Sequence, residues 1–515
     1  MFFKMISRVG LFLLFVCPLL SSAQNEQAKL EKIIPASPTA AALAKYGDIP
    51  VNYYSGSPSV SVPLFNISSG KLGLPVSLSY QFNGLRTEEI ASWVGLGWSL
   101  NAGGVITRSV RGTPDEFGNG YMYPIGGMTV QYMIDHPSDP LVVENLKNAG
   151  KGLFDTEPDI FYYNFSGYSG KFYYSQEAQK FHTIPKENLT INYTGNGFLI
   201  VTPDGNKYLF EVKELTSTSQ SCDGNLVSSA TPVTSSWYLS SIKNSNETEV
   251  IDFQYNEGYY SFAHLNTVTK YFLTQQWGSN VTSTPPPSFS DSWCTQTSGI
   301  TAKRLSQINF RNGYLKFTAA SGERCDLPGD RALQKVEMFD NANNLQKRFV
   351  FDYGYFGDPT LTSSGCATIN PGYLSLRLKL KSIQEEGTTT AATTNPYVFE
   401  YDEVGYFPSR LSYAQDYWGY NNGATGNTSL IPPTSYVGPN GPIYFQGAYR
   451  LPNFNAAKAG SIKKLYILQK GVPVLYLRIM RFMILRQFLH LSGNRKYWKA
   501  TITGGSKPIM KEPLR

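Results

Sequence analysis

The residues best placed for acid–base chemistry are Glu157 and Asp159, two carboxylates two positions apart in the sequence. On a β-strand, side chains with this spacing point to the same side, and paired carboxylates are the groups that hydrolyse glycosidic bonds. Carboxyl groups of one strand start only about 6–7 Å apart, whereas catalytic pairs usually come from different strands, and Pro158 between them indicates a turn. We therefore expect no catalytic residues and no enzymatic activity, and glycoside hydrolysis is the least favoured function.

No other pattern in the sequence points to catalysis, a metal or a cofactor. The histidines stand apart from the cysteines and lack the spacing of metal ligands: His136, His182, His264 and His490. A P-loop, a G-x-S-x-G elbow and a G-x-G-x-x-G turn are absent from the sequence. The run Asp204-Gly205-Asn206 is typical of a hairpin turn rather than of a calcium loop. We expect neither a metal nor a cofactor.

A candidate ligand-stacking site is the aromatic group Tyr417, Trp418 and Tyr420, which lies among asparagines and glycines. Flat rings can cover the apolar face of a sugar while neighbouring amides bind its hydroxyl groups, so a glycan is the candidate ligand. The alternative is that these rings close strands or fill a core, and in a chain with 14% aromatic residues this alternative is favoured.

The N-terminus has the pattern of a signal peptide. Lys4 and Arg8 precede an apolar run over residues 9–20, and the small residues Ser21, Ser22 and Ala23 follow. A membrane anchor is opposed because about 12 apolar residues are too few for a bilayer, which needs about 20. We predict cleavage after Ala23 and a secreted or cell-surface protein.

Four cysteines remain after that cleavage: Cys222, Cys294, Cys325 and Cys366. In an exported protein they are disulfide candidates, and four cysteines allow three pairings. We favour Cys222 with Cys294 and Cys325 with Cys366, because closing two separate loops in sequence needs no threading. Zinc is disfavoured because the spacings are tens of residues and no C-x-x-C pair exists.

The elements that must position these residues are expected to be strands. The chain has 35 Tyr, 30 Phe, 46 Gly and 31 Pro but only 9 Met. This composition favours an all-β fold of antiparallel hairpins and meanders, in β-sandwich-like and extended coiled-sheet units with few helices. The net charge of +7 resides in residues 463–515, and the remaining chain carries 33 basic against 37 acidic residues. Nucleic acid is therefore not an expected partner.

The most patterned stretch is Tyr46–Gly112. Apolar residues alternate from Ser57 to Leu64 and again from Leu74 to Phe82, around a turn at residues 66–70, which predicts two antiparallel strands. Tryptophans and glycines follow in a dense cluster, which we interpret as a structural corner of a β-core: Trp93, Gly95, Gly97, Trp98, Gly103 and Gly104.

Hairpin patterns continue downstream. The segment Phe198–Phe210 predicts a hairpin with its turn at residues 203–206. Four further segments read as strand, polar turn and strand: Trp237–Tyr255, Leu305–Phe317, Leu333–Tyr353 and Leu378–Asp402. Between them, Thr274–Gly299 and Gly387–Asn395 are predicted to be loops.

These segments resemble a known family. The series SVPL, GLPVSLSY and GLGWSL within Tyr46–Gly112 is similar to the N-terminal region of secreted RHS/YD-repeat proteins and, more distantly, to the plasmid-virulence B and insecticidal toxin-complex B family. The downstream hairpins resemble degenerate YD repeats, and the resemblance extends to about Leu465. It implies hairpins stacked in a long coiled sheet, within a large shell or surface protein that often carries a variable C-terminal effector.

The composition changes after Leu465. Residues 469–489 are rich in Leu, Ile, Met and Arg, and the Asp, Asn and Tyr of the preceding segments are almost entirely lost. An amphipathic membrane-binding helix is one interpretation, although Arg478, Arg481 and Arg486 spread over half the helix surface. The same arginines oppose a transmembrane span. We favour a third, a frameshift or truncation that leaves an aberrant basic tail.

The sequence thus divides into six predicted segments: a signal peptide (1–23), a linker or arm (24–50), an N-terminal β domain (51–215), degenerate YD-like hairpins (216–405), a family-like segment of strands and loops (406–465) and the tail (466–515). The leading hypothesis is a secreted, non-catalytic scaffold linked to toxin delivery or intercellular interaction. The alternative is a carbohydrate- or surface-binding adhesin. Expected partners are other RHS-type chain segments, cell-surface components or a glycan, and no transmembrane span is expected in the mature core.

Overall fold

The computed structural model describes residues 60–229, 231–273, 288–361, 366, 372–387, 396–438, 441–469 and 472–473. Strands account for 50% of it and helices for 7%, which confirms the predicted all-β class. Within the described ranges, no helix is long and apolar enough to cross a membrane. The predicted signal peptide, the arm before residue 51 and the tail beyond residue 473 lie outside these ranges.

The strands follow one another in short succession along the chain. In order they are β1 (Val60–Ser69), β2 (Leu72–Tyr80), β3 (Trp98–Asn101), β4 (Gly104–Ser109), β5 (Ile160–Phe165), β6 (Tyr168–Ser175), β7 (Lys180–Ile184), β8 (Thr190–Tyr193), β9 (Phe198–Val201), β10 (Lys207–Cys222), β11 (Asn225–Ser229), β12 (Val233–Lys243), β13 (Val250–Leu273), β14 (Ser288–Phe310), β15 (Gly313–Ala319), β16 (Leu333–Asp340), β17 (Leu345–Phe356), β18 (Arg377–Glu386), β19 (Tyr397–Tyr401), β20 (Thr434–Gly438), β21 (Gly441–Phe445), β22 (Ile462–Gln469) and β23 (Val472–Pro473). The helical elements are α1 (Val130–Asp135), α2 (Pro140–Gly150), a 3-10 turn (Tyr373–Ser375) and α3 (Phe454–Ala457).

The described chain forms two compact units, of which the smaller comprises residues 110–159, inserted between β4 and β5. Its helices α1 and α2 pack around a small core of Ile125, Met133 and Val142. Thr129 caps α1 and Asp139 caps α2 by accepting a backbone N–H in the first turn of each helix. All of the strands belong to the larger unit.

The first strands follow directly from the alternating pattern. β1 and β2 pair antiparallel around Gly70, whose φ of 61° is a conformation that glycine adopts at little cost. β3 then pairs with the second half of β2, which completes a three-stranded sheet. Apolar residues on one face of β1 and β2, among them Val62 and Leu78, are completely buried. The two predicted strands are confirmed, but the turn predicted at residues 66–70 is wrong for residues 66–69, which belong to β1 and pair with β2.

The remaining large sheet is antiparallel throughout and contains a closed ring of strands. β10 pairs with β12 along one edge and with β14 along the other, and β13 pairs with both β12 and β14. From this ring, β9 and β8 extend one side, while β4, β5, β6 and β7 continue from β12. On the other side, β15 to β19 and then β22 add to β14 one after another.

Each predicted hairpin is present, because its polar turn falls between two strands that pair. They are β9–β10, β12–β13, β14–β15, β16–β17 and β18–β19. The loop predicted over Thr274–Gly299 is wrong for residues 288–299, which form the first half of β14. These polar residues are strand because β13 pairs with them on one side and, from Cys294, β10 on the other.

Aromatic side chains fill the space enclosed by β5, β6, β9 and β12. Phe161 and Phe172 stack with their ring centroids 4.9 Å apart, and Phe198 meets Trp237 edge-on at 5.1 Å. These four rings are completely or almost completely buried. Paired rings of this kind add about 0.5–1.5 kcal/mol each beyond the burial of their area, so this cluster explains the use of so many aromatic residues.

The tryptophan and glycine corner lies in the same core. Trp93 and Trp98 are buried, and the Trp98 indole donates to the hydroxyl of Tyr401 at 2.9 Å. Gly97 has a φ of 76°, and a Cβ placed there would lie 2.8 Å from the Tyr80 ring. Gly104 is tighter still, since its Cβ would be 2.5 Å from Cβ of Phe165. The chain needs glycine at both positions because other residues approach too closely.

Two disulfides join Cys222 to Cys294 and Cys325 to Cys366, which is the pairing favoured from the sequence. Cys222 and Cys294 face each other across the β10–β14 pair. Cys325 is buried and lies in the turn between β15 and β16. Disulfides persist in oxidising compartments, in agreement with an exported protein.

Candidate functional site

The predicted stacking residues occupy a loop between β19 and β20. Tyr417 and Trp418 are 56% and 50% exposed, and their rings stand almost perpendicular, with centroids 6.4 Å apart. Tyr420 is only 8% exposed, because its ring packs beneath the guanidinium of Arg86 at 5.1 Å. The structure therefore leaves two of the three predicted rings accessible and assigns Tyr420 to the core.

Asp416 fixes the backbone of this loop. Its Oδ1 accepts the N–H of Trp418 at 2.8 Å and that of Tyr420 at 2.9 Å. Burial raises the pKa of this carboxyl, while those N–H groups and the nearby cations act in the opposite direction. Arg450 donates to the carbonyl of Asp416, and its guanidinium lies over the Tyr417 ring at 5.2 Å. The exposed pair is consequently held on a rigid turn.

Two asparagines beside the loop hold its backbone against neighbouring segments. Asn421 donates to the carbonyls of Tyr406 and Ala456, and Asn422 donates to those of Tyr449 and Leu451. Both amide oxygens accept backbone N–H groups as well. These amides are buried, so they brace the loops instead of facing a ligand. The sequence expectation that neighbouring amides would bind sugar hydroxyls is not met by these two residues.

The exposed ring pair belongs to a wider aromatic surface, which we define as Tyr406, Tyr417, Trp418 and Tyr449. All four side chains are at least half exposed. Asn421 and Asn422 tie the two flanking segments to the central loop, since they bond the carbonyls of Tyr406 and Tyr449. Rings held on braced backbone are suited to contacting a partner, because little side-chain entropy is lost on binding.

The two carboxylates of Glu157 and Asp159 lie in different environments. Glu157 is exposed, whereas Asp159 is completely buried. The oxygens of Asp159 accept the N–H of Arg111 at 2.8 Å and that of Asp115 at 3.1 Å, and Asp115 in turn accepts the N–H of Asp159 at 3.0 Å. Asp159 thus closes a reciprocal backbone clamp, and the two carboxylates share no solvent-facing surface.

A buried charged cluster, absent from the sequence-based predictions, lies near the second disulfide. We define it as Arg304, Arg324, Asp326, Asp330 and Arg410. Arg324 contacts Asp326 at 2.7 Å and Asp330 at 3.0 Å, and Arg304 contacts Asp330 at 2.8 Å. Burial acts to raise the pKa of Asp326, but Arg324 beside it outweighs burial and holds that pKa below its usual value. The sequence RCDLPGD reads as a polar surface turn and carries no signal of burial.

This buried charged cluster braces the tryptophan and glycine corner. Arg324 donates to the carbonyls of Ala91 and Ser92, and Arg410 donates to the carbonyl of Asp326. The Asp326 carboxylate also accepts the N–H of Leu378 at 3.0 Å. Five chain segments therefore meet at this set of charges, which ties them together.

Glu88 links that corner to the aromatic surface. Thr87 donates to the carbonyl of Gly419 at 3.0 Å, and Glu88 contacts the side chain of Gln415. Burial raises the pKa of Glu88 from 4.5 to about 7, and the hydrogen bond from Gln415 opposes this only in part. The folded state thus holds the Glu88 proton more tightly than the unfolded chain.

Glu88→Gln is expected to flatten the pH dependence of stability. A raised carboxyl pKa contributes stability that is complete below pH 4.5 and is lost as the pH rises through about 7. The wild-type free energy of unfolding should therefore fall by about 1–3 kcal/mol across this range, and the variant should lack that fall. Urea unfolding at several pH values measures it, with the exposed Glu144→Gln as control. Parallel curves for wild type and Glu88→Gln would contradict this assignment.

No group of three or more metal-ligating side chains occurs in the part of the chain that the structure describes. Comparison of the chain with protein-family models and with curated proteins finds no match in either.

Proposed function

We propose that the chain is an exported, non-catalytic structural module of RHS/YD-repeat type, one part of a larger shell or surface protein linked to toxin delivery or intercellular interaction. The observation that carries this proposal is the order of strand addition. From β12 to β19, every strand pairs with the next one along the chain. Each hairpin therefore lengthens the same sheet, as expected for stacked degenerate repeats.

The described titratable groups with shifted pKa values also support a structural role. Burial, and then the neighbouring Arg410, lower the pKa of Arg377 to about 9, and this side chain donates to backbone carbonyls such as that of Thr87. Asp326 and Asp416 accept backbone N–H groups. These three side chains form hydrogen bonds with the backbone of the same chain, whereas catalytic groups must contact a substrate.

A second candidate function is adhesion through the aromatic surface. The half-exposed, perpendicular rings of Tyr417 and Trp418 favour it, because neighbouring exposed aromatic rings that form a patch are typical of interaction sites. The partner proposed is a cell-surface glycan or another RHS-type chain segment.

One experiment separates these functions. The exported full-length protein, Trp418→Ala and the control Tyr123→Ala are applied to a glycan array and assayed with chromogenic glycosides; Tyr123 is 54% exposed and lies in the 110–159 unit. The scaffold proposal expects no turnover and no effect of Trp418→Ala on any glycan binding. A tenfold or greater loss in Trp418→Ala alone would establish the adhesin. Turnover that disappears in Glu157→Gln or Asp159→Asn would overturn both in favour of a hydrolase.

A further inference from the structure

A cavity of about 470 Å³ opens where β2 and β3 approach β5, β12, β13 and β14. The residues that line it include Trp93, Phe165 and Tyr255 together with the polar Asn101, Asn164 and Lys303. Trp93 and Phe165 are almost completely buried, whereas Tyr255 is partly exposed. This volume lies within the roughly 300–1,000 Å³ that small-molecule sites occupy. The mixture of rings with a few polar groups is also typical of such sites.

One polar group of the wall has capacity left for a ligand. The amide of Asn101 donates to Oγ of Ser79 at 2.9 Å, and this is the one hydrogen bond of that side chain to the described residues. Its Oδ1 and its second N–H can therefore serve a bound molecule. The Tyr255 hydroxyl, by contrast, already donates to the carbonyl of Leu239 at 2.8 Å. Tyr255 is therefore expected to contact a ligand through its ring.

The charge of the wall narrows the ligand class. Among the described residues that line the cavity, Lys303 is the one charged side chain, and it already pairs with Glu257. An anionic ligand such as a phosphate ester would find no available cation. A purely apolar ligand would cover Asn101 and Ser77 without satisfying their hydrogen bonds, at a cost for each group. A neutral ring that carries hydroxyl groups needs no cation and can form hydrogen bonds with Asn101 and Ser77.

We propose that this cavity binds a single neutral sugar ring, with Asn101 addressing a hydroxyl group and the ring of Tyr255 covering the apolar face. The inference shares its ligand class with the adhesion candidate but places the ligand elsewhere. At the aromatic surface the Asn421 and Asn422 amides already bond the backbone, whereas at the cavity the Asn101 amide is available.

Gly73 offers a way to block the cavity. It alternates on β2 with Pro75 and Ser77, and all three line the cavity. A Cβ added at Gly73 meets no atom within 4 Å. Gly73→Trp should therefore place an indole at the cavity without disturbing the strand. Gly118 is the matched control, because its Cβ also meets no atom within 4 Å and it lies in the 110–159 unit, outside the cavity.

The test is saturation-transfer difference NMR on the exported full-length protein with methyl pyranosides of glucose, galactose, mannose and N-acetylglucosamine. At least one is expected to bind wild type with a dissociation constant of about 1 mM. Gly73→Trp should weaken that binding at least tenfold and Asn101→Ala several-fold, while Gly118→Trp and Trp418→Ala should match wild type. Thermal unfolding verifies that every variant is folded.

Three results would overturn the proposal: no pyranoside binding tighter than about 10 mM, unchanged binding in folded Gly73→Trp, or loss in Trp418→Ala with Gly73→Trp unaffected. The last result would move the sugar to the aromatic surface and support the adhesin. None of these outcomes depends on the scaffold role, which the array and turnover assays test separately.

Discussion

Asp326→Ala is expected to lower the free energy of unfolding by about 3–5 kcal/mol, because it leaves the buried guanidiniums of Arg304 and Arg324 to share one carboxylate, Asp330. Arg324 is 2% exposed and reaches Asp326 through Nε at 3.0 Å and Nη2 at 2.7 Å. The substitution also removes the acceptor of the Leu378 N–H. A loss of this size is a large part of the stability of a typical protein, so the yield of folded protein should fall as well.

Urea unfolding at pH 7 measures the effect, with Asp352→Ala as the matched control. Asp352 pairs with Lys381 at 2.8 Å, but both side chains are about half exposed, at 46% and 48%. Exposed pairs of this kind contribute about 0–1 kcal/mol. Equal losses in the two variants would show that the buried charged cluster is not the structural centre inferred here. The double variant Arg324→Met with Asp326→Ala should recover part of the loss, since the Arg324 charge is then removed together with its carboxylate partner and Asp330 pairs with Arg304 alone.

The strands β1 and β2 and those of the predicted hairpins could be found from the sequence because they depend on local information. Alternation at Val60, Val62 and Leu64 identifies a half-buried strand, and Asp204-Gly205 identifies a turn. Neighbouring strands joined by short turns then pair with one another. The predicted hairpins from β9–β10 to β18–β19 all form in this way.

The ring of strands could not be predicted in the same way. β10 and β14 pair although their cysteines are 72 positions apart, and β14 begins in polar residues that carry no apolar alternation. Such polar strands form because both backbone edges find partners, which is a property of the assembled sheet rather than of the segment. The buried charged cluster was missed for a related reason, since Arg324 and Asp326 are buried only when the turn meets Ala91 and Leu378.

At the candidate site, too, some features have a local sequence signal and others depend on the assembled fold. The exposure of Tyr417 and Trp418 agrees with a surface role, whereas the burial of Tyr420 depends on Arg86, more than 300 positions away. The cavity had no sequence signal at all. Its wall comes from seven strands and their turns, and individually Asn101, Asn164 and Lys303 are ordinary strand residues.

Removing a disulfide is the second change expected to lower the free energy of unfolding strongly. Which of the two bonds contributes more shows whether local packing or the entropy of the unfolded chain determines their effect. By loop length alone each bond stabilises the fold by about 4 kcal/mol, and the 72-residue separation of Cys222 and Cys294 should exceed the 41-residue one of Cys325 and Cys366 by only about 0.5 kcal/mol. Packing predicts the opposite order. The hydrogen-bonded pair of β10 and β14 already holds Cys222 beside Cys294. β13 also pairs with β14 along its other edge.

Cys325 has no such ladder and lies in the turn that carries Arg324 and Asp326. Its N–H donates to the hydroxyl of Tyr355 at 2.9 Å, and Cys366 donates its N–H to the carbonyl of Glu323 at 3.2 Å. Cys325→Ser with Cys366→Ser should therefore cost about 3–5 kcal/mol, and Cys222→Ser with Cys294→Ser about 2–3 kcal/mol. Urea unfolding of the two double variants measures both. If the Cys222–Cys294 variant proves the less stable, loop entropy governs the disulfides, and the turn at Cys325 does not depend on its bond for its packing.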